Sequence, residues 1–228
     1  MVKLIVLTVI PTPIGNLEDI TLRSISAFLE ADYIATEDTR HASILLQYLG
    51  VSKPLISLHR HNEASRTAEL ITHIKGGHRV ALSCDAGMPA ISDPGYRLIC
   101  ACIQEGLPFT VLPGPSAVLT ALVGSGLPCH EFYFAGFLPV KPGKRAAELR
   151  RAAIHPWTSV YFESPYRLVK SLATLAETHP FTPICVAREI SKKFEEYRRG
   201  TASEVLAYFT AHPPRGEIVL LIHGTLPK

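Results

Sequence analysis

The chain has 228 residues, of which 47% are hydrophobic and 19% charged, so it has enough apolar side chains for a packed core and does not have the composition of a disordered protein. Its formal net charge is +3, and its five cysteines contain no Cys-x-x-Cys pair, which excludes a zinc knuckle and favours reduced thiols in a cytoplasmic protein. The uncharged segment from Gly106 to Cys129 is interrupted by four prolines and four glycines, so we interpret it as buried strand, turn and helix, not as a membrane span.

The first half of the chain alternates strand and helix patterns. Apolar runs predict five strands, at Lys3–Ile10, Tyr33–Thr36, Pro54–Leu58, Arg79–Ser83 and Phe109–Leu112. Apolar residues at helical spacing predict helices around Leu22–Leu29, Ile44–Leu49 and Leu70–Ile74. Two further helices are expected after Asp93-Pro94, with Asp93 as N-cap, and after Pro113–Ser116. Such repeated units predict a mostly parallel sheet covered by helices.

The second half differs in its pattern. Strands are predicted at Phe132–Phe134, Trp157–Phe162, Pro183–Ala187, Glu195–Gly200 and Glu217–His223. One helix is expected from Ser164-Pro165, and the capping box Thr201–Glu204 opens another. We therefore predict an α/β protein of two domains, residues 1–115 with a mostly parallel sheet and residues 116–228 with a mixed sheet.

Charge is distributed unevenly between the halves. Residues 1–112 hold 9 Lys/Arg against 11 Asp/Glu, whereas residues 113–228 hold 14 against 9. Most of the positive charge lies in two basic stretches, 141–151 and 188–199. A basic surface of this kind binds polyanions in a salt-dependent manner, although a solvated helix face gives the same pattern.

Three loops follow predicted strands of the first domain, at Thr12–Asn16, Asp85–Gly95 and Pro113–Ala117. In open α/β sheets ligands bind at this edge, so these loops predict a small-molecule site; the alternative is that their glycines and prolines only form turns. The sequence contains neither G-x-G-x-x-G nor a P-loop.

Another candidate is the polar run 37–41, Glu-Asp-Thr-Arg-His. Such a run is able to orient a hydroxyl and to stabilise developing charge. The alternative is that Asp38 or Thr39 only caps a helix. His59 and His61, with Asn62, have weak spacing for zinc, and we expect a hydrogen-bonding or solvated role for them.

Several strings, taken in order, resemble one known family. They are Thr12–Thr21 (TPIGNLEDIT), Glu37–Arg40 (EDTR), Asp85–Gly87 (DAG), Ile91–Gly95 (ISDPG), Pro113–Ala117 (PGPSA), Gly136–Pro139 (GFLP) and Gly216–Val219 (GEIV). Over residues 4–224 the chain is similar to the ribosomal RNA small subunit methyltransferase I family. The resemblance implies the tetrapyrrole methylase fold, in which two α/β domains hold S-adenosylmethionine in the cleft between them. It also implies a homodimer that needs no metal and methylates the ribose 2′-oxygen of a cytidine in 16S rRNA of the small ribosomal subunit.

The resemblance assigns roles to particular residues. Expected cofactor contacts are Asp85, Ala86, Gly87, Met88, Pro89, Ser116, Ala117, Ala187, Glu217 and Ile218. Expected substrate contacts are Ile14, Gly15, Asn16, Asp93, Lys141, Lys144 and Arg145. A ribose hydroxyl needs a base, for which Glu37, Asp38 and Asp93 are all candidates. We rank Asp38 and Arg40 first as catalytic residues, with Glu37 as a third candidate. Arg40 would place a phosphate or lower the pKa of the hydroxyl.

Three positions depart from the family pattern. Cys84 and Met88 stand where the family usually has Ser and Thr, and Tyr166 where it usually has His. Three other functions compete with rRNA methylation. They are methylation of a small tetrapyrrole of the precorrin or uroporphyrinogen type on the same fold, non-catalytic RNA binding, and hydrolysis of a phosphate compound, which the missing P-loop disfavours.

Overall fold

The computed structural model describes residues 5–224 as two compact units, the first ending at Ser116 and the second beginning at Ala117. The strands of the first unit are β1 (Leu7–Val9), β2 (Tyr33–Thr36), β3 (Leu55–Ser57), β4 (Val80–Leu82) and β5 (Phe109–Val111). Its helices are α1 (Leu22–Glu30), α2 (Thr39–Tyr48), α3 (Glu63–Lys75) and α4 (Tyr96–Gln104), with a 3-10 turn at Leu17–Asp19. The predicted strand Lys3–Ile10 is observed as Leu7–Val9, and its residues 3 and 4 lie outside the described range.

The first sheet is parallel throughout, with strand order β3-β2-β4-β1-β5. Side chains alternate across it: Val80 and Leu82 pack with α3 and α4, whereas Ala81 packs on the opposite face with Phe28 of α1 and Leu45 of α2. Because both faces are covered by helices, the strands are mostly apolar on both faces.

The order of the strands sets the position of a ligand site. The chain runs from β1 through α1 and α2 to β3, and then returns through α3 and α4 to β4 and β5. The neighbours β1 and β4 therefore lie where the winding reverses, which is the place where open α/β sheets bind ligands at the strands' carboxyl ends.

One predicted helix start is wrong. Helix α4 begins at Tyr96 with Gly95 as its N-cap, not at Asp93-Pro94. The Glu63 carboxylate from α3 accepts hydrogen bonds from the Gly95 and Arg97 amides, at 3.0 and 3.3 Å. A carboxylate brought by the fold therefore satisfies the first amides of α4, and Asp93 remains free of that role.

The second unit has a mixed sheet of five strands in the order β6-β7-β10-β8-β9. Its strands are β6 (Phe132–Phe137), β7 (Thr158–Glu163), β8 (Pro183–Arg188), β9 (Glu196–Thr201) and β10 (Ile218–His223). Its helices are α5 (Ala117–Ser125), α6 (Pro142–Ile154), α7 (Pro165–Thr178) and α8 (Ala202–Ala211). Strand β6 is parallel to β7, and the other pairs are antiparallel. Helix α6 was not among the predicted elements, whereas the predicted Thr201–Glu204 capping box is confirmed.

Helices cover this sheet on both faces as well. Leu220 of β10 packs in a core with residues of α6, α7 and α8 such as Leu149, Leu172 and Phe209. Its neighbour Leu221 is fully buried on the opposite face, where α5 contacts β8 and β10. Within the described residues, no helix combines the length and apolar character needed to cross a bilayer.

Candidate active site

The loops that follow β1 and β4 are joined by backbone hydrogen bonds. Thr12 and Gly87 exchange two N–H···O bonds of 2.9 Å, and the buried Thr12 hydroxyl donates to the Cys84 carbonyl at 3.0 Å. Gly87 has a φ of +79°, and a Cβ there would touch the buried Ile14 side chain at 3.4 Å. A glycine at this position lets two loops meet closely at the carboxyl edge of the sheet.

Asp38 and Arg40 form an ion pair with each other at the surface. Asp38 is the N-cap of α2, and its carboxylate accepts from the Arg40 amide at 2.9 Å and from Arg40 Nη2 at 2.7 Å. These hydrogen bonds from Arg40 hold the pKa of Asp38 well below its usual range. Such a stabilised carboxylate is a weak base, so the structure favours a capping role for Asp38 over the catalytic role ranked first from the sequence.

Three other carboxylates affect one another at the same edge. Burial raises the pKa of Glu37, and the nearby Asp85 carboxylate raises it further. Burial likewise raises the pKa of Asp93 to about 6, with added repulsion from Glu37 and Asp85. Asp85 accepts a hydrogen bond from the Asp38 amide at 3.2 Å, and its other oxygen lies 4.0 Å from His41 Nδ1. Glu37 and Asp93 therefore bind protons more readily than exposed carboxylates do.

Asp93 lies in a loop with unusual backbone angles. Gly87, Ala90, Ser92 and Gly95 all have positive φ, between +67° and +123°. For Ala90 and Ser92 this conformation is strained, and strain of this kind concentrates at functional sites.

Arg60 and Glu63, which the sequence analysis did not select, act on this loop. The Arg60 guanidinium donates to the Ser92 carbonyl at 2.6 Å, and its charge partly offsets the raised pKa values of Glu37 and Asp93. Glu63 holds the start of α4, as described above. The position of Arg60 just after β3, at the carboxyl edge of the same sheet, was the one signal in the sequence that pointed to it.

The remaining predicted residues of the first unit differ in exposure. Gly15, Asn16 and Ala86 are exposed, and Asn16 caps the 3-10 turn by accepting from the Glu18 amide at 3.1 Å. Met88 and Ser116 are half-buried, and Pro89 is buried. Ala117, the first residue of the second unit, is also half-buried.

Cys84, one of the three departures from the family pattern, makes hydrogen bonds within its own loop. The buried Cys84 thiol donates to the Ala86 and Gly87 carbonyls, each at 3.4 Å, and burial raises the pKa of this thiol. A cavity of about 60 Å³ borders Cys84, Asp85 and His41. The Asn62 side chain bridges the His59 amide and the Ser57 carbonyl. The buried Nδ1 of His59 has no hydrogen-bond partner within residues 5–224, so the predicted hydrogen-bonding or solvated role is not met at that atom.

In the second unit, Glu217 belongs to a compact ionic group. Glu189 Oε1 accepts from the Glu217 amide at 3.0 Å, and Lys192 lies 3.1 Å from Glu189 and 2.9 Å from Glu217. The Glu217 amide and Lys192 lower the pKa of Glu189. Ala187 and Ile218, by contrast, are 0% and 3% exposed, so their side chains offer no surface to a ligand, and the predicted cofactor contacts at these two residues would be made by their backbone atoms.

The basic stretches are less available than their sequence indicates. Lys141 and Lys144 are exposed, but Arg145 is 7% exposed and its Nη1 donates to the Val140 carbonyl at 3.0 Å. Arg145 therefore supports the loop before α6, which corrects the prediction that it contacts substrate. Arg188 pairs with Glu196 at 3.0 Å, and Arg199 donates to the Ser125 carbonyl at 2.9 Å.

Comparisons with known proteins agree with this architecture. The family model described as Tetrapyrrole (Corrin/Porphyrin) Methylases matches residues 6–206. A ribosomal RNA small subunit methyltransferase I from Streptococcus pyogenes serotype M1 is 40% identical over 218 residues, covering 96% of this chain and 76% of the relative. The protein of that name from Mesorhizobium japonicum is 44% identical over 218 residues, covering 95% and 74%. The structure of uroporphyrin-III-C-methyltransferase from Thermus thermophilus superposes with a TM-score of 0.65 at 23% identity, over 97% of this chain and 99% of that one.

Proposed function

This chain belongs to the tetrapyrrole methylase family, and we propose that it is an S-adenosylmethionine-dependent methyltransferase of small-subunit ribosomal RNA. The observation that carries the proposal is the identity of 40% to 44% with ribosomal RNA small subunit methyltransferase I over almost the whole chain. The finer part of the proposal is that the protein transfers the methyl group to the ribose 2′-oxygen of a cytidine in 16S rRNA. We propose that it does so as a homodimer in the cytoplasm.

The residues of the first unit suit a cationic cofactor. Burial raises the pKa of Glu37 and of Asp93, and repulsion between these carboxylates and Asp85 raises both further. A sulfonium and an ammonium group near these carboxylates would offset that repulsion. We therefore propose Asp85 to Pro89 as contacts to S-adenosylmethionine. The contacts that the family resemblance implies at Ser116, Ala117, Ala187, Glu217 and Ile218 stay predictions.

When bound, S-adenosylmethionine supplies a methyl group on a positively charged sulfur, which is an electrophile without any further activation. The protein's task is then to orient a ribose hydroxyl and to accept its proton. We assign the proton to the Asp93 carboxylate, with Glu37 as its neighbour, because burial, the main cause of the raised pKa of Asp93, gives this group a higher affinity for a proton than an exposed carboxylate has. Arg60 and Glu63 hold the loop that carries Asp93.

The test is methylation of small ribosomal subunits with S-adenosylmethionine carrying a labelled methyl group. Label is expected in 16S rRNA, at a nucleotide that resists alkaline cleavage because its 2′-oxygen is methylated. Naked 16S rRNA and uroporphyrinogen III are the parallel substrates. Label in uroporphyrinogen III with none in rRNA would overturn the proposal in favour of the tetrapyrrole alternative. Light scattering of the purified protein checks the homodimer.

A further inference from the structure

Four side chains of the second unit form a column beside the edge strand β6. The Trp157 and His155 rings lie 4.3 Å apart between centroids, and His155 stacks on Tyr133 at 6.1 Å with an angle of 13° between their planes. The Arg151 guanidinium lies 4.7 Å from the Tyr133 ring centroid. We call these four residues the Tyr133 column; Tyr133 and Arg151 are its exposed members.

The orientation of Arg151 is held by its neighbours on the same unit. Its Nε and Nη2 donate to the two oxygens of Glu148, at 3.2 and 2.6 Å. The buried Tyr161 hydroxyl donates to the same carboxylate at 2.7 Å. The guanidinium is therefore oriented before any ligand arrives, while the Arg151 side chain remains 43% exposed. Little conformational entropy is lost when a planar ligand stacks on it.

Helix α6 carries further basic residues on the side that bears Arg151. Lys141, Lys144, Glu148 and Arg151 are separated by three, four and three residues, which places them on one side of the helix. Lys141 and Lys144 are exposed, whereas Glu148 is engaged by Arg151 and Tyr161. The surface thus combines cations that attract a phosphate backbone with aromatic and guanidinium planes that stack on bases.

We propose that the Tyr133 column is a stacking site for an unpaired base of single-stranded RNA, with the base resting on the Arg151 guanidinium and Tyr133 beneath it. The inference rests on the proposed function and extends it by naming where a flexible part of the rRNA substrate is held. Recognition by stacking accepts any base, so this site adds affinity and position, while the choice of nucleotide lies elsewhere.

Trp157 provides the measurement, because it is the single tryptophan of the sequence. Oligocytidylate of about eight nucleotides, a length within the usual range of single-strand sites, is titrated while Trp157 fluorescence and RNA anisotropy are recorded. Inorganic polyphosphate is the matched probe, since it carries the charge without the bases. Oligocytidylate is expected to change Trp157 fluorescence, and polyphosphate is not.

Two variants test the geometry. Tyr133→Ala removes the ring, and Arg151→Lys keeps the charge but removes the plane. Each is expected to weaken oligocytidylate binding by about 5- to 150-fold, the range for losing one stacked base, because Arg151→Lys removes the plane on which the base rests and Tyr133→Ala removes the ring that supports that plane. The salt dependence should stay unchanged, because both variants keep the phosphate contacts of the other cations. Phe181→Ala is the control: Phe181 is 82% exposed on the same unit, and we expect about twofold change or less.

The stacking site is overturned if both variants bind oligocytidylate within about twofold of the wild type, or if polyphosphate changes Trp157 fluorescence as much as RNA does. A failure of the proposed function would be distinct. In that case the wild-type protein would leave small ribosomal subunits unmethylated, whatever its affinity for oligocytidylate.

Discussion

Replacing Asp93 by Asn should make the protein more stable and less active at the same time. The pKa of Asp93 is raised from 3.8 to about 6, mainly by burial. The folded state therefore binds a proton more tightly than the unfolded state, and its stability falls as pH rises from about 4 to about 6. At pH 7 the ionised carboxylate carries this penalty, which Asn does not have.

The size of the effect follows from the shift. A difference of about two pKa units corresponds to roughly 3 kcal/mol, and because Asp93 is only half-buried, screening by solvent reduces this to about 1 kcal/mol. We expect Asp93→Asn to raise the free energy of unfolding at pH 7 by about 1 kcal/mol, with little effect near pH 4. If Asp93 is the base, the methylation rate should fall by about 10²- to 10⁴-fold.

The assay is urea denaturation at pH 4, 5.5, 7 and 8, alongside methylation of small ribosomal subunits at saturating S-adenosylmethionine. Asp38→Asn is the matched control: Arg40 holds the pKa of Asp38 low, so its loss should bring no gain in stability at pH 7. The reasoning is refuted if Asp93→Asn leaves the pH dependence of unfolding unchanged. The catalytic assignment is refuted if the variant methylates at the wild-type rate.

Three further substitutions, together with the control Lys144→Ala, test contacts that the fold creates. Glu63→Gln should lower the unfolding free energy by about 1–2 kcal/mol, because the α4 amides lose a charged acceptor; an unchanged urea midpoint would contradict this. Gly216→Ala places a Cβ at a φ of +82° against the Glu189 side chain. We expect the free energy of unfolding to fall by about 2–4 kcal/mol and hydrogen exchange at the Glu217 amide to become faster. Protection of that amide at the wild-type level would argue against this reasoning. Arg145→Ala should lower the free energy of unfolding by about 2 kcal/mol or more, since it removes a buried, hydrogen-bonded side chain. Its neighbour variant Lys144→Ala should leave stability within about 0.5 kcal/mol. Lys144→Ala should also reduce the salt slope of RNA binding by about one unit. Equal effects of these two variants on stability would contradict the burial of Arg145.

The sequence by itself determined the elements that depend on near neighbours. Thr201 and Glu204 cap α8 across three residues, and Gly50, at a φ of +66°, ends α2. Both signals are local, because the hydrogen bonds and backbone angles involved are complete within one turn of chain. The ordered family strings likewise identified the family and the α/β class, since they need only the order of the residues.

The tertiary structure alone decided what happens between residues that are distant in sequence. Glu63 reaches across 32 residues to the Gly95 amide and takes the capping role expected of Asp93. Burial then raises the pKa of Asp93, and the nearby Glu37 and Asp85 raise it further. Arg145, which belongs to a basic stretch of the sequence, is buried. A carboxylate's pKa and an arginine's exposure depend on desolvation and on charges that only folding brings near. The sequence pattern therefore located the edge of the sheet where chemistry is expected, and the fold selected which of its carboxylates is suited to accept a proton.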